Sequence, residues 1–165
     1  MASTYTLTAA TQVLTVTGQP SNTNTVVVGG KTYTFQATLT DVDGNVHIGV
    51  DAEASLQNLA AAINLSNEGE SAVSAGTDYA ASMTVNTEVE ATAFDATTLT
   101  VTAYSPGSVG NLIASTETHA LGSWGAATLS GGAGHLDGWI ANLISLNQIN
   151  AEVLSELLAL TAGAD

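Results

Sequence analysis

The only basic side chain in this protein, Lys31, stands in the tetrapeptide Gly29-Gly30-Lys31-Thr32, a fragment that invites comparison with a phosphate-binding loop. Such a loop needs Gly, four residues, then Gly-Lys-Ser/Thr, so that backbone amides cradle the phosphates and a following helix aims its N-terminus at them. Here Thr25 occupies the first glycine position, and β-branched and aromatic residues flank the motif on both sides. The pattern predicts a β-hairpin with Gly29 and Gly30 as its two central turn residues, Val28 opposite Lys31 and Val26 opposite Tyr33. One face then carries Val26, Val28, Tyr33 and Phe35. Lys31 falls at the rim of that face, its stem over apolar surface and its ammonium in water.

The other residue types capable of chemistry are as sparsely arranged. Asp41-Val42-Asp43-Gly44-Asn45 opens like a calcium loop, but Val46 stands where glycine is required and Ala52 where a bidentate glutamate is required. A polar turn accounts for it better. His47, His119 and His135 match no metal-ligand spacing, and the chain has no cysteine to supply a thiolate, a disulfide or a thiol nucleophile. The Gly-x-Ser-x-Gly nucleophile motif is absent. Glu88 and Glu90, two apart on a predicted strand, read as a solvated face rather than a glycosidase pair. Trp124 and Trp139 read as packing anchors. No enzyme activity, no catalytic residue, no metal site and no cofactor is expected.

Charge narrows the partners. With one Lys, no Arg and fifteen Asp plus Glu, the formal charge of −14 repels a phosphate backbone and an anionic membrane surface alike, so neither nucleic acid nor membrane is an expected partner. Charged residues are nevertheless only 10% of the 165 residues, and Thr, Ser and Asn supply most of the polar surface. The N-terminus lacks a basic segment followed by an apolar run, and the expectation is a soluble chain.

The elements that must carry these residues are read from periodicity. Weak alternation from Thr4 to about Gly18 predicts one or two strands, followed by a turn at Gly18 to Asn22. After the hairpin and the acidic loop come a short strand around Val46 to Val50 and then Asp51, a helix N-cap with Glu53 in the first turn. Leu56, Leu59, Ala60 and Ile63 recur at helical spacing and predict an amphipathic helix from Ala52 to about Asn64. Leu65 to Ala80 reads as a loop. Met83, Val85, Thr87, Val89 and Ala91 alternate with polar residues, as do Leu99, Val101 and Ala103, which predicts a strand pair with a turn around Phe94 to Thr97. A Gly-rich passage containing Trp124 continues to Gly134.

The last block differs. Leu136, Trp139, Leu143, Leu146, Asn150, Val153, Leu157 and Leu160 are spaced alternately three and four apart, a heptad seam with Asn150 as its one polar member. A second stripe of Ile140, Ile144, Ala151, Leu154 and Leu158 widens the apolar face beyond what a surface helix needs. Two readings follow: a helix packed on its own domain and broken near Asn147 to Asn150, or one that meets symmetry-related copies with Asn150 setting the register.

The order of elements, and above all the segments "VVVGGKTYTF", "NLAAAIN" and "PGSVGNLIAS", resembles a module recurrent in structural proteins of tailed bacteriophages, over about Thr25 to Ala133. A looser likeness exists to the inserted motif of flagellar hook and flagellin proteins, which normally lies between long helices at both ends, whereas this chain has only a C-terminal one. The resemblance implies a non-enzymatic virion protein. The reading is a capsid decoration, cement or head-fibre protein, with a tail, baseplate or fibre-associated protein that binds receptor or carbohydrate as the alternative. It implies assembly in the host cytoplasm into the virion, with copies of itself, a trimer favoured, and a major capsid or tail protein as partners. The expected architecture is α+β: an N-terminal strand or arm over residues 1–24, a β-rich module with one helix on an antiparallel sheet over 25–134, and a C-terminal oligomerisation or anchoring helix over 135–165.

Overall fold

The computed structural model describes residues 6–65, 73–134, 146–156 and 158. It divides into two compact units, Met1–Ala133 and Gly134–Asp165. The first is a β-rich α+β fold. Its strands are β1 (Ala9–Val16), β2 (Thr25–Val28), β3 (Lys31–Gln36), β4 (Asn45–His47), β5 (Val89–Phe94), β6 (Thr98–Pro106), β7 (Ser115–Glu117) and β8 (Gly122–Trp124), with helix α1 (Ala52–Asn64) between β4 and β5.

Two four-stranded sheets result, one in the order β5-β6-β1-β8 and the other β4-β3-β2-β7. The first is antiparallel throughout. In the second, β3 and β4 run parallel while the other pairs are antiparallel. The N-terminal strand is an interior strand of the first sheet: β1 lies between β6 and β8.

The core follows from alternation. Ala10, Leu14 and Val16 of β1, Leu99, Val101 and Ala103 of β6, and Val26, Val28, Tyr33 and Phe35 of the hairpin are all buried. They join Leu56, Leu59 and Ile63 of α1 in one cluster that draws on both sheets. Each large apolar side chain withdrawn from water contributes about 1.5–3 kcal/mol, which fixes the register of every strand that presents one.

Local signals set the boundaries. The hairpin pairs Val28 with Lys31 and Val26 with Tyr33. Gly29 and Gly30 have φ of 58° and 68°, the doubly left-handed turn that suits a two-residue connection. Helix α1 begins where the Asp51 carboxylate accepts from the Ala54 N–H at 2.8 Å and ends at Leu65 in a left-handed conformation.

The strand expected from Met83 onward begins only at Val89. Between Met83 and Val89 the buried residues are Met83, Asn86 and Val89, while Val85 is exposed. A spacing of three has replaced the spacing of two. The cause is Asn86: its Oδ1 accepts the N–H of Glu88 at 3.0 Å and of Val89 at 3.1 Å, so a side chain occupies the bonds that a neighbouring strand would make. The Gly-rich passage after Pro106 also holds more order than expected, with a short 3-10 turn (Ser108–Leu112) and strands β7 and β8.

In the second unit, residues 146–156 are helical, continuously through Asn147 to Asn150, and we label this segment α2. No helix among the described residues is long and apolar enough to cross a membrane.

Candidate functional site

The Gly-Gly-Lys-Thr stretch is a hairpin apex followed by strand β3, with no helix to present amides to a phosphate. The Lys31 ammonium does not reach into water as expected. It lies 2.7 Å from Asp43 Oδ1 and 2.9 Å from Thr84 Oγ1, and it also donates to the Thr84 carbonyl. The side chain is only 15% exposed. Its nitrogen stands 5.7 Å from the centroid of the Tyr33 ring, within range of a cation–π attraction. The sequence pattern could place Lys31 at the rim but not foresee that two later segments close over it.

Those segments are the acidic loop and the chain before β5. Asp43 accepts the Thr84 N–H at 2.9 Å and the Thr84 hydroxyl at 2.6 Å, and Asp41 accepts the Ser82 N–H at 2.7 Å. The two carboxylates that resemble the start of a calcium loop are therefore a clasp for residues 82–84. Partial burial of the Asp43 carboxylate favours its neutral form, but hydrogen bonds from the Lys31 ammonium and from Thr84, with the charge of Lys31, outweigh it and hold the group at about 2. Backbone and side-chain hydrogen bonds from Ser82 hold Asp41 below the usual carboxylate range. Val46, where a calcium loop wants glycine, is a core residue paired with Phe35 on β3. Among the described residues no group of three or more His, Asp or Glu is arranged to hold a metal ion.

The remaining candidates separate. His119 is buried, with Nε2 3.3 Å from the Gly18 carbonyl and Nδ1 accepting the Leu121 N–H at 3.3 Å. That pairing defines a neutral ring with its proton on Nε2. Burial pushes its pKa down, opposed by the Gly18 carbonyl and the charge of Glu117. His47 lies on β4, and His135 falls outside the described residues. Glu88 precedes β5 and is exposed, whereas Glu90 is half-buried within it, so they are not a matched pair on one solvated face. Trp124 is a packing anchor whose indole N–H donates to the Thr116 carbonyl at 3.1 Å. Trp139 falls outside the described residues.

A polar residue that periodicity alone would place in the core is Gln12, at an inward position of β1. Its Nε2 donates to the carbonyls of Ala126 at 3.1 Å and Thr128 at 2.9 Å, tying down the segment after β8. Asn86 and Gln12 thus each fix an irregular segment onto the sheets. Every buried side-chain nitrogen and oxygen among the described residues has a hydrogen-bond partner, so the polar interior is structurally committed.

Of the proposed association residues, Leu146, Asn150 and Val153 lie on α2; Leu136, Trp139, Leu143, Leu157 and Leu160 fall outside the described residues. Every residue from 146 to 156 is exposed. Among the large apolar side chains of this segment, Leu146, Ile149, Val153, Leu154 and Leu158, exposure runs from 52% at Ile149 to 72% at Leu158. Leu146, Asn150 and Val153 follow the four-and-three spacing of the seam, with Ile149 and Leu154 flanking it. Single exposed apolar residues are ordinary on a protein surface; here four of them fall within nine positions of one helix.

No protein-family model matches this chain, and neither a curated protein nor a solved structure is significantly similar to it.

Proposed function

We propose that this chain is a non-enzymatic structural protein of a tailed-bacteriophage particle, a capsid decoration, cement or head-fibre protein that forms a symmetric oligomer, a trimer by preference, through its C-terminal helical segment. The observation that carries the reading is the contrast between two parts. The β-rich unit has a buried apolar core and partners for its buried polar atoms, and its exposed large apolar residues, Val50 and Leu112 among them, are spread along the sequence, whereas on α2 every residue from 146 to 156 is exposed and Leu146, Ile149, Val153 and Leu154 fall within nine positions. A folded display unit joined to a self-associating helix suits a component repeated over a symmetric shell. The resemblance of the segments between Thr25 and Ala133 to phage structural modules supports a phage particle as the assembly.

The test has two arms. In sedimentation velocity, the full chain is expected as an oligomer that Leu146→Asp with Val153→Asp converts to monomer without loss of the β-rich circular-dichroism signal; an unchanged mass in the double variant removes α2 as the interface. Saturable binding to purified capsids supports the head location, and binding to tails alone moves the protein to the tail or baseplate.

A further inference from the structure

We infer that helix α1 guards the edge of β5: the Asn64 amide takes the hydrogen bonds that another strand would make there, and without it β5 pairs with the β5 of a second copy. This holds whichever assembly the chain belongs to and does not involve α2. β4 and β5 are each the outer strand at one end of a sheet, and α1 lies against both. On β4 the outward groups are taken mainly by backbone. The His47 N–H donates to the Asp78 carbonyl at 2.8 Å, the Asn45 carbonyl accepts the Ala80 N–H at 2.9 Å, and the His47 carbonyl accepts from Asn58 Nδ2 at 3.0 Å. On β5 the work falls to side chains. The Tyr104 N–H of β6 reaches the Glu88 carbonyl at 2.9 Å, which turns the alternate residues Val89 and Ala91 away from β6. The Val89 N–H donates to Asn86, and Ala91 both donates to Asn64 Oδ1 and accepts from Asn64 Nδ2, each at 2.8 Å. A carboxamide carries a donor and an acceptor side by side, so Asn64 reproduces the two bonds that a residue of a neighbouring strand would exchange.

β5 is also the edge best able to pair. It has six residues, against three each in β4, β7 and β8, and very short edge strands are poor templates. Lysine is a common protector of such edges, but the one lysine here is committed to Asp43 and Thr84. Asn64 is the final residue of α1, so only the last turn of the helix has to lift for Ala91 to be reached. Ala91 turns its N–H and its carbonyl to the same side, and two copies related by a two-fold axis at this residue exchange both bonds. In that register Glu90 falls opposite Thr92 of the mate and meets no second carboxylate. That self-complementarity argues for β5 of another copy as the occupant, and the irregularity in β5 between Ala91 and Ala93 keeps the pair short.

The experiment compares Asn64→Ala with the natural chain, both at full length, so that any association through α2 is common to the two. Sedimentation velocity over a series of concentrations is combined with circular dichroism and with hydrogen exchange at the Ala91 amide. The variant is expected to keep the β-rich signal and to self-associate about tenfold or more tightly than the natural chain, from the two bonds that a symmetric pair exchanges. Its Ala91 amide should exchange fast when dilute and slow down as concentration rises, whereas in the natural chain exchange at Ala91 should not depend on concentration. Unchanged association in a folded variant whose Ala91 amide exchanges fast at every concentration overturns the inference, since the uncovered edge then stays alone. Tighter association without concentration-dependent protection at Ala91 overturns it as well, because the contact then lies elsewhere. Should Asn64→Ala fail to fold, the same two measures are read on Asn64→Asp, which keeps an acceptor for the Ala91 N–H and frees only the carbonyl.

Discussion

Lys31 Nζ and Asp43 Oδ1 meet at 2.7 Å, and the same carboxylate receives both the N–H and the hydroxyl of Thr84. One hairpin, one loop and one irregular segment are therefore joined at a single carboxylate. Replacing Asp43 with Ala removes all three bonds. Because the carboxylate is nearly half exposed, water offsets much of the loss, and the expected cost is about 1–2 kcal/mol, read from urea unfolding.

The same group predicts an acid limb. Its folded pKa, held at about 2, lies below its ordinary value of 3.8, so its contribution is complete above about pH 4 and is lost as pH falls through about 2. Melting temperature measured between those limits should fall for the natural chain and fall less steeply for Asp43→Asn. Equal slopes would show that other carboxylates dominate acid unfolding.

The two turn glycines are expected to respond unequally. Both have positive φ, but a Cβ on Gly29 would stand 2.6 Å from Asn86 Oδ1, whereas one on Gly30 meets nothing within 4 Å. Gly30→Ala should cost about 1–2 kcal/mol from the left-handed backbone alone. Gly29→Ala should cost more, since it also displaces a buried amide. Asn at position 30 should recover much of the loss and Asn at position 29 should not, measured by denaturant midpoints.

Asn86 itself is 1% exposed, donates to the Val28 carbonyl at 3.0 Å and accepts the two N–H groups that open β5. It spans the two sheets. Asn86→Ala is expected to lower stability by about 2–3 kcal/mol, and Asn86→Asp to fail similarly, because a carboxylate has no donor for the carbonyl. Hydrogen exchange should localise the loss to the N-terminal end of β5.

Two buried rings limit the pH range on either side of neutrality. Burial pushes the Tyr33 phenol up to about 12, with opposing help from Asn86 and a further rise from the charge of Asp43. Stability is then fully present below about pH 10 and is lost as pH rises through 12, because only the unfolded chain ionises in between. Burial lowers His119, so its contribution is present above the ordinary value of 6.5 and declines as pH falls below it, where the unfolded chain binds the proton first. Tyr33→Phe should flatten the alkaline limb, and His119→Gln should flatten the limb just below pH 6.5, each followed by thermal melts.

Much of this fold was legible from local chemistry. Paired glycines between β-branched runs specify a hairpin whose register the structure reproduces residue for residue, and Asp51 with its helical spacing specifies α1 from its first residue to Asn64. Failures came where a side chain took over work that periodicity assigns to backbone. Asn86 hides in an alternating pattern as one more polar residue, yet it ends the pattern by supplying strand-like hydrogen bonds. β7 and β8 contain three residues each, too few for alternation to register, and what holds them is pairing with β2 and β1 far away in sequence. Lys31 was misplaced for a related reason, since its environment is made by residues twelve and fifty-three positions later. On α2, helical spacing could be read directly for Leu146, Asn150 and Val153, because a helix is set by local periodicity; the other seam residues lie outside the described residues.

A protease that cuts after lysine or arginine finds a single susceptible bond in this polypeptide, between Lys31 and Thr32. That bond lies at the start of a ladder, behind an ammonium already held by Asp43 and Thr84. Digestion by such an enzyme therefore demands that the hairpin come apart, and at protease levels where cutting outpaces reclosing the rate at which one cut yields two fragments times the opening of that hairpin.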